Sequence, residues 1–432
     1  MSLRLPGVCL GALVALMAIA GDWSNDPAAA LLWRLPAALL LAGLAYESWL
    51  IARARVSLKI VAPDRWYLGR PASVRFALAH TLERRVVLEI VPSAPDDFAQ
   101  EGSVRHLRLP ARAPAFADFS CTPRRLGAHA WPSARVRVAG SLGLAWWSRR
   151  VSDEITVRVQ PELLAPRTSP SGSGQIGARS GRTVGSGAEL LQLRAYRPED
   201  PPRSVDWKAT ARVRRLISRD FSEDQHLEIM MLIDAGRASG LRSGGLDRFG
   251  HYVNVASRLA QHAVSQDDLV GIVVFADRPL LESSPARGAP AVARIRKLLG
   301  AARVDNVESD PLQAAIRVRS LVRQRSLVIV LTDLDDATTA GQLAAAVRLL
   351  LPKHLPFIAA LSSTHAEAMA RAPARRWPDP YRALAAQEYV ASLDRNVAAL
   401  KARGAPALIA KPDQLEPAVF QAYADFRRRR RV

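Results

Sequence analysis

Hydrophobic patterning divides this chain of 432 residues into three regimes. The first is a pair of long apolar runs. Leu5–Gly21 holds 17 residues without a charge, and Ala28–Leu50 is interrupted only by Arg34 and Glu47. Each can reach across a hydrocarbon core, the first barely. The connector from Asp22 to Pro27 is short and acidic, Arg4 precedes the first run, and Arg53 and Arg55 follow the second. The positive-inside rule then places both ends in the cytoplasm. Trp23, Trp33 and Trp49 fall near the expected interfaces. A cleaved signal peptide is the competing reading, but the first run lacks a strongly cationic start and a second span follows at once. The expectation is a two-helix transmembrane hairpin over residues 1–55, with Glu47 close enough to the interface to snorkel and given no role.

From Val56 the period changes to two. Val56–Val61, Val74–Leu78, Val86–Val91, Arg135–Val138 and Ile155–Val159 alternate apolar with polar or basic residues, and Gly and Pro clusters separate them. About seven short strands in about 100 residues predict a β-sandwich over residues 56–162. Trp146 and Trp147 would face opposite ways on a strand, one inward and one out.

The third regime begins at Leu227. Leu227–Asp234 (LEIMMLID) and Ser326–Leu334 (SLVIVLTDL) are nearly continuous apolar runs. Such runs fit strands buried on both faces, though periodicity alone leaves a helix open. Further strands are expected at Leu269–Phe275, Phe357–Leu361 and Ala407–Ala410. Helices are expected at Phe249–Val264, Pro290–Leu299, Pro311–Val322, Ala340–Leu351, Tyr389–Arg403 and from about Glu416. This alternation predicts a mainly parallel sheet with helices on both faces, over residues 227–432. Ligands of open α/β sheets bind outside the carboxyl ends of strands. Asp234 and Asp333 stand there, as cation ligands or as caps of the following helices.

Between the last two regimes lie a Gly/Ser-rich stretch, residues 163–188, and a basic motif, residues 189–226. No Lys follows the glycines in the phosphate-loop pattern, so a flexible linker is the better reading. In the motif, Ser204 can cap a helix starting at Val205, placing Lys208, Arg212 and Arg215 on one stripe with Trp207 and Ala211 turned inward. The stripe could present cations to an acidic partner or to lipid. Alternatively the charges pair internally, Arg203 or Arg194 with Asp206 or Glu189.

Composition changes the picture little. The formal net charge is +20, but only six of the 60 basic residues are Lys, and the arginines spread over every segment. That spread argues against a dedicated nucleic-acid site, although an anionic-lipid or nucleic-acid binder using the Arg surface is kept as an alternative. The run Arg427–Arg431 ends a helix, where cations favour the dipole. Two cysteines, Cys9 and Cys121, form no disulfide framework. The metalloprotease, nucleophile-elbow and phosphate-loop motifs are missing, and no His spacing suits a metal.

Glu189, Arg194, Tyr196, Pro198, Arg203, Asp206-Trp207-Lys208 and Ala211-Arg212, followed by a strand ending in Asp234, resemble the domain of unknown function 58 family. The resemblance takes in the membrane runs and the β-rich part. It implies a bacterial inner-membrane protein with two helices, cytoplasmic soluble domains, and a C-terminal von Willebrand factor A-like (Rossmann-like) domain. It also implies partnership with a MoxR-type AAA+ ATPase, and marks Arg194, Tyr196, Arg203, Asp206, Trp207, Lys208 and Arg212 as candidate partner-binding residues. The von Willebrand A fold often holds Mg²⁺ or Mn²⁺ through D-x-S-x-S, a Thr and a later Asp. Here the first motif reads Asp234-Ala235-Gly236-Arg237-Ala238, with Ser239 one place out of register. The Thr position falls on Asp310, and the last Asp is Asp333. The expected site is thus Asp234, Asp310 and Asp333, degraded, with Arg237 near enough to replace the ion. The expected role is a non-enzymatic scaffold; a metal-dependent hydrolase on the same carboxylates is the rival.

Overall fold

The computed structural model describes residues 2–23, 31–83, 85–102, 104–111, 113–163, 184–185, 189–222, 226–335 and 337–430. The chain divides into two compact units, Met1–Glu162 and Leu163–Val432. Most of the stretch expected as a linker lies outside the described residues, as does the connector between the two apolar runs.

The first unit opens with β1 (Ser2–Leu3), α1 (Leu5–Trp23) and α2 (Arg34–Arg53). Both helices are long and apolar enough to cross a membrane, and they leave Leu16, Leu35, Leu39 and Leu41 exposed. There follow β2 (Val56–Val61), β3 (Trp66–Tyr67), β4 (Ala72–His80), β5 (Val86–Val91), β6 (Phe98–Glu101), β7 (Arg105–Leu109), β8 (Ala115–Pro123), β9 (Gly127–Ala130), β10 (Ala134–Ala139), β11 (Ala145–Val151) and β12 (Thr156–Gln160). They form sheets of order β1-β11-β10-β5-β7, β2-β4-β8-β6 and β3-β12-β9. Period-two patterning decides which face is inside. Val74, Phe76 and Leu78 of β4 and Val136 and Val138 of β10 are buried, while Arg75 and Arg137 between them are exposed. Trp66, Phe76, Phe98, Phe119 and Trp131 make an aromatic nucleus with centroids 5.1–6.2 Å apart. More strands form than the alternation predicted. β8 is one of these: the small Ala117 and Cys121 on either side of inward Phe119, and the exposed Phe116, blur its alternation. Trp146 and Trp147 are both half-buried, and the Arg4 guanidinium lies 4.7 Å from the Trp146 ring centroid.

Glu47 is the notable departure. It does not snorkel but is fully buried. Its carboxylate accepts hydrogen bonds from the amides of Leu142 (2.8 Å), Leu144 (3.1 Å) and Ala145 (3.2 Å) in the β10–β11 turn. The turn makes room for it: a Cβ on Gly140 would lie 2.0 Å from the carboxylate. The amide of Arg4 donates to the same turn at Leu144 (2.9 Å), and Arg149 donates to the carbonyl of Ile51 (2.8 Å). The start of α1 and the end of α2 are therefore fastened to one end of the β-rich region.

The second unit begins with β13 (Val184–Gly185), β14 (Glu189–Ala195), α3 (Trp207–Val213) and β15 (Ile217–Ser222), whose strands form a small antiparallel sheet. The α/β part contains β16 (Glu228–Asp234), β17 (Arg242–Ser243), β18 (Leu246–Asp247), α4 (Arg248–Ser265), β19 (Leu269–Phe275), β20 (Pro279–Ala286), α5 (Gly288–Ala301), α6 (Pro311–Leu321), β21 (Leu327–Leu331), α7 (Ala337–Leu350), β22 (Leu355–Leu361), α8 (Thr364–Arg371), α9 (Asp379–Ala402), β23 (Ala407–Ala410) and α10 (Leu415–Arg430). The large sheet has the order β20-β19-β16-β21-β22-β23, parallel except for the edge strand β20. β20 and α8 were not expected from the sequence. From β16 the chain goes to β19 on one side and then to β21 on the other. The topological switch point thus lies between β16 and β21, where a crevice opens outside their carboxyl ends.

Loss of the Glu47 anchor has a measurable consequence. Glu47→Ala strands three amides, and hydrogen bonds to a charged group contribute about 1.5–3 kcal/mol each. We expect Glu47→Ala, and Gly140→Ala through displacement of the same carboxylate, to lower the thermal unfolding midpoint in detergent. Both should also expose the β10–β11 turn to protease.

Candidate functional site

Asp234 closes β16 and is 1% exposed. One carboxylate oxygen accepts from the Gly236 amide (2.8 Å) and from the Ser309 hydroxyl; the other accepts from the Thr332 hydroxyl (2.5 Å). Burial raises its pKa, and those hydrogen bonds oppose the rise. Gly236 stands at the first serine position of the D-x-S-x-S pattern. A Cβ there would come 2.1 Å from the Ser309 oxygen, so Ser309 reaches Asp234 through the space a side chain would fill.

Asp333 follows β21 and is equally buried. It accepts from the hydroxyls of Ser239 (2.9 Å) and Tyr252 (2.8 Å) and pairs with the Arg248 guanidinium at 3.0 Å. Ser239 arrives on a 3₁₀ turn, Arg237–Gly240. Arg248 also binds Asp335, and Tyr389 of α9 donates to Asp335 (2.6 Å). The Arg248 side chain is only 4% exposed. Burial works against its charge, but Asp333 and Asp335 outweigh that and hold it well above its ordinary value. Burial pushes Asp333 up to about 6, with the nearby charges of Asp234 and Asp335 adding and Arg248 opposing.

The loops bearing these groups are stitched together. The amide of Arg237 donates to Val307 (2.8 Å), that of Asp305 to Ala235 (2.7 Å), and that of Asp310 to Ala276 (2.7 Å). Over them lies an open pocket of about 170 Å³, lined by Asp234, Arg237, Ala238, Glu308, Ser309, Asp333, Asp335 and Thr339. Drug-sized ligands occupy clefts of about 300–1,000 Å³, so the pocket suits a side chain better than a whole small molecule.

The structure brings Asp234 and Asp333 together but leaves Asp310 out of the set. Asp310 caps α6, accepting from the amides of Leu312 (3.0 Å) and Gln313 (3.3 Å), and Ser309 takes the position facing Asp234. Arg237 does not fill the site either. It pairs with Glu308 at 3.0 Å on the exposed rim. The buried cation is Arg248, which sequence reasoning missed; its signal is an Arg four residues before Tyr252 at the start of an otherwise apolar helix face.

The basic motif is largely an internal device. Arg194 binds Asp200 (2.6 Å) and Asp220 (3.0 Å), and the Tyr196 hydroxyl donates to the Asp200 carbonyl (2.9 Å). Asp206, not Ser204, caps α3, accepting from the Ala209 amide (2.9 Å). Trp207 is 70% exposed instead of packed inward, and Arg203, Lys208 and Arg212 are exposed beside it.

A divalent cation does not fit these residues. The carboxylate oxygens of Asp234 and Asp333 are engaged by protein donors, and Arg248 already supplies a positive charge 3.0 Å from Asp333. Among the described residues no group of three His, Cys, Asp or Glu side chains is placed to hold a metal.

Breaking a buried pair leaves an uncompensated charge and costs about 3–5 kcal/mol. Arg248→Met is expected to destabilise the full chain by that order at pH 8, read as a lowered thermal midpoint. The loss should shrink at pH 5, where protonation removes the stranded carboxylate charge. For Asp333 itself, a folded-state pKa raised from 3.8 to about 6 means the native form binds the proton more tightly. Its contribution to stability therefore falls as pH rises through that window and is constant above it. Asp333→Asn should flatten that part of the profile.

A search of the curated proteins finds no match. Among solved structures, native alpha-2-macroglobulin from Escherichia coli (domain MG7 to the C-terminus) is similar at 11% identity and a TM-score of 0.22, covering 35% of this chain and 22% of that one. The chain thus spans about a fifth of that protein's length. The conserved hypothetical protein BatB from Bacteroides thetaiotaomicron is 11% identical with a TM-score of 0.30, covering 46% of this chain and 98% of that one. An uncharacterized membrane spanning protein from Vibrio fischeri is 14% identical with a TM-score of 0.18, covering 47% and 99%. Likenesses of this extent carry no argument. The sequence match is more specific: residues 192–359 match the family described as "Protein of unknown function DUF58".

Proposed function

We propose that this chain is a membrane-anchored adaptor whose C-terminal α/β unit, similar to the von Willebrand factor A fold, binds a protein partner. By family resemblance that partner is a MoxR-type AAA+ ATPase, acting with this chain on a client complex. The soluble parts then lie on the cytoplasmic side of a bacterial inner membrane, the orientation that Arg4, Arg53 and Arg55 at the helix ends favour. The observation that carries the reading is the state of the crevice carboxylates. Asp234 and Asp333 are bonded on both oxygens by the protein itself, which favours a structural role for them over that of a free hydrolytic base. The accessible groups are those of the rim, Arg237 and Glu308, whose side chains are 65% and 68% exposed. A shallow pocket with one charge of each sign on its edge suits docking of a partner's side chain.

The test uses the rim, since substitution of the buried carboxylates would disturb folding. The full chain is solubilised from native membranes and recovered with and without ATP and Mg²⁺, and its companions are identified by mass spectrometry. An AAA+ ATPase is expected with the wild type. Arg237→Glu and Glu308→Arg should each reduce its recovery at least about fivefold, since a lost interfacial charge contact costs about 1 kcal/mol or more, without moving the thermal midpoint. Recovery with no ATPase, or with the ATPase unaffected by both changes, contradicts the reading.

A further inference from the structure

The tip of the hairpin formed by α8 and α9 carries apolar side chains that the sheet core does not use. Trp377, Tyr381 and Leu384 are spaced i, i+4 and i+7, and are 84%, 70% and 65% exposed. Pro378, just before α9, has helical backbone angles, so the three positions share one face. The Trp377 and Tyr381 rings meet edge to face at 6.4 Å. The buried residues of α9 are different ones: Ala386, Leu393, Val397 and Leu400.

This tip is built, not frayed. Asp379 accepts from the amides of Arg375 (2.9 Å) and Arg376 (2.8 Å), closing the loop onto the start of α9. Those bonds hold the Asp379 carboxyl below its ordinary range. Gln387 donates to the Ala370 carbonyl (3.1 Å), tying α9 to α8. Arg371, Arg375, Arg376 and Arg382 neighbour the stripe along the chain and are exposed. Asp379 accepts from the loop amides and lies 4.0 Å from the Arg382 guanidinium, which leaves Arg371, Arg375 and Arg376 as the tip's other cations.

We propose that this tip is an interfacial foot that seats on an anionic lipid surface. Trp and Tyr rings, apolar in body and polar at the edge, settle at the headgroup level, and Leu384 extends the apolar face toward the acyl chains. The arginines bind lipid phosphates and answer the negative potential of an anionic leaflet. The occupant follows from charge complementarity and from the chain itself. Its two membrane-length helices, in the adaptor reading on which this inference rests, tether a bilayer permanently within reach, so weak contacts suffice. Lipid phosphates ask for cations and a hydrophobic wedge without a fixed pattern of polar partners, and that is what the tip offers. The foot lies outside residues 192–359, the stretch that matches the family.

The test places the full chain in nanodiscs of phosphatidylcholine with or without phosphatidylglycerol, using lipids brominated on the acyl chains. The difference in fluorescence quenching between wild type and Trp377→Phe isolates Trp377 from the other eight tryptophans. Quenching of Trp377 is expected in the anionic discs. It should fall to the phosphatidylcholine level in high salt and in the double variant Arg375→Glu/Arg376→Glu. Trp377 emission unaffected by bromination overturns the proposal, as does quenching independent of headgroup charge. Shielding of Trp377 only on addition of a protein fraction assigns the tip to a protein and also overturns it. None of these outcomes depends on whether an ATPase is recovered through the pocket rim.

Discussion

Two carboxylates, Asp234 and Asp333, are buried side by side at the switch point of the sheet, and the α/β unit is arranged to make that tolerable. Neither could remain there without donors, because burial of an unpaired charge is far more costly than any single contact returns. The donors come from separate parts of the chain. Ser309 is on the loop before α6, Thr332 follows β21, Ser239 is on the turn after β16, and Arg248 and Tyr252 occupy the first turns of α4. Tyr389 on α9 completes the set through Asp335. The acids therefore fix the approach of two loops and two helices to the strand ends. A buried ion pair is weak evidence for stability, since well-packed apolar residues often serve as well. Its geometric demand is stricter: any shift of α4 or of the loop at 303–310 would strand a carboxylate.

This explains which parts of the site were legible in the sequence. Strands buried on both faces write themselves as continuous apolar runs, so β16, β19 and β21 stood out, as did Asp234 at the end of β16 and Asp333 just past β21, with boundaries accurate to three residues or better. The donors did not. Ser309 and Asp310 are adjacent, and Asp before Pro at a helix start is as good a cap as it is a ligand; only the backbone decides that Ser309 faces inward. Gly236 read as a lost hydroxyl, whereas the empty side chain is what admits Ser309. Arg248 is one Arg among many, and its role depends on its fixed placement opposite Asp333 across the crevice, which no local pattern records. Glu47 illustrates the same limit in the first unit. A lone acid in an apolar helix reads as a tolerated misfit, but its partners are amides of a turn about 95 residues away.

The two units thus use carboxylates in one way, as rigid acceptors that fasten a loop to a helix or a strand end. Glu47 collects amides, Asp234 collects hydroxyls and an amide, and Asp379 collects the amides of its own loop. None of these needs a cation from elsewhere. Among the described residues the other buried acids are matched to arginines, Glu162 to Arg70, Asp220 to Arg194, Asp268 to Arg427 and Asp333 to Arg248, which also holds the partly buried Asp335.

That division bears on what a partner encounters. Acids satisfied by neutral donors keep their charge inside, and acids paired with arginines cancel one cation each at most. The excess of 60 basic over 40 acidic residues is therefore displayed mainly outward, on α3, on the α8–α9 tip and along the wet faces of the β-strands. Such a surface steers anionic partners at long range and is screened by salt within about 8 Å at physiological ionic strength. Steering does not select among them. Selection has to come from shape and apolar contact, and the exposed Trp207 and the Trp377–Leu384 stripe are two places among the described residues where apolar side chains stand beside arginines. A basic surface that carried no such apolar anchors would bind any polyanion alike; anchors at defined positions make binding depend on the shape and apolar surface the partner presents as well as on its charge.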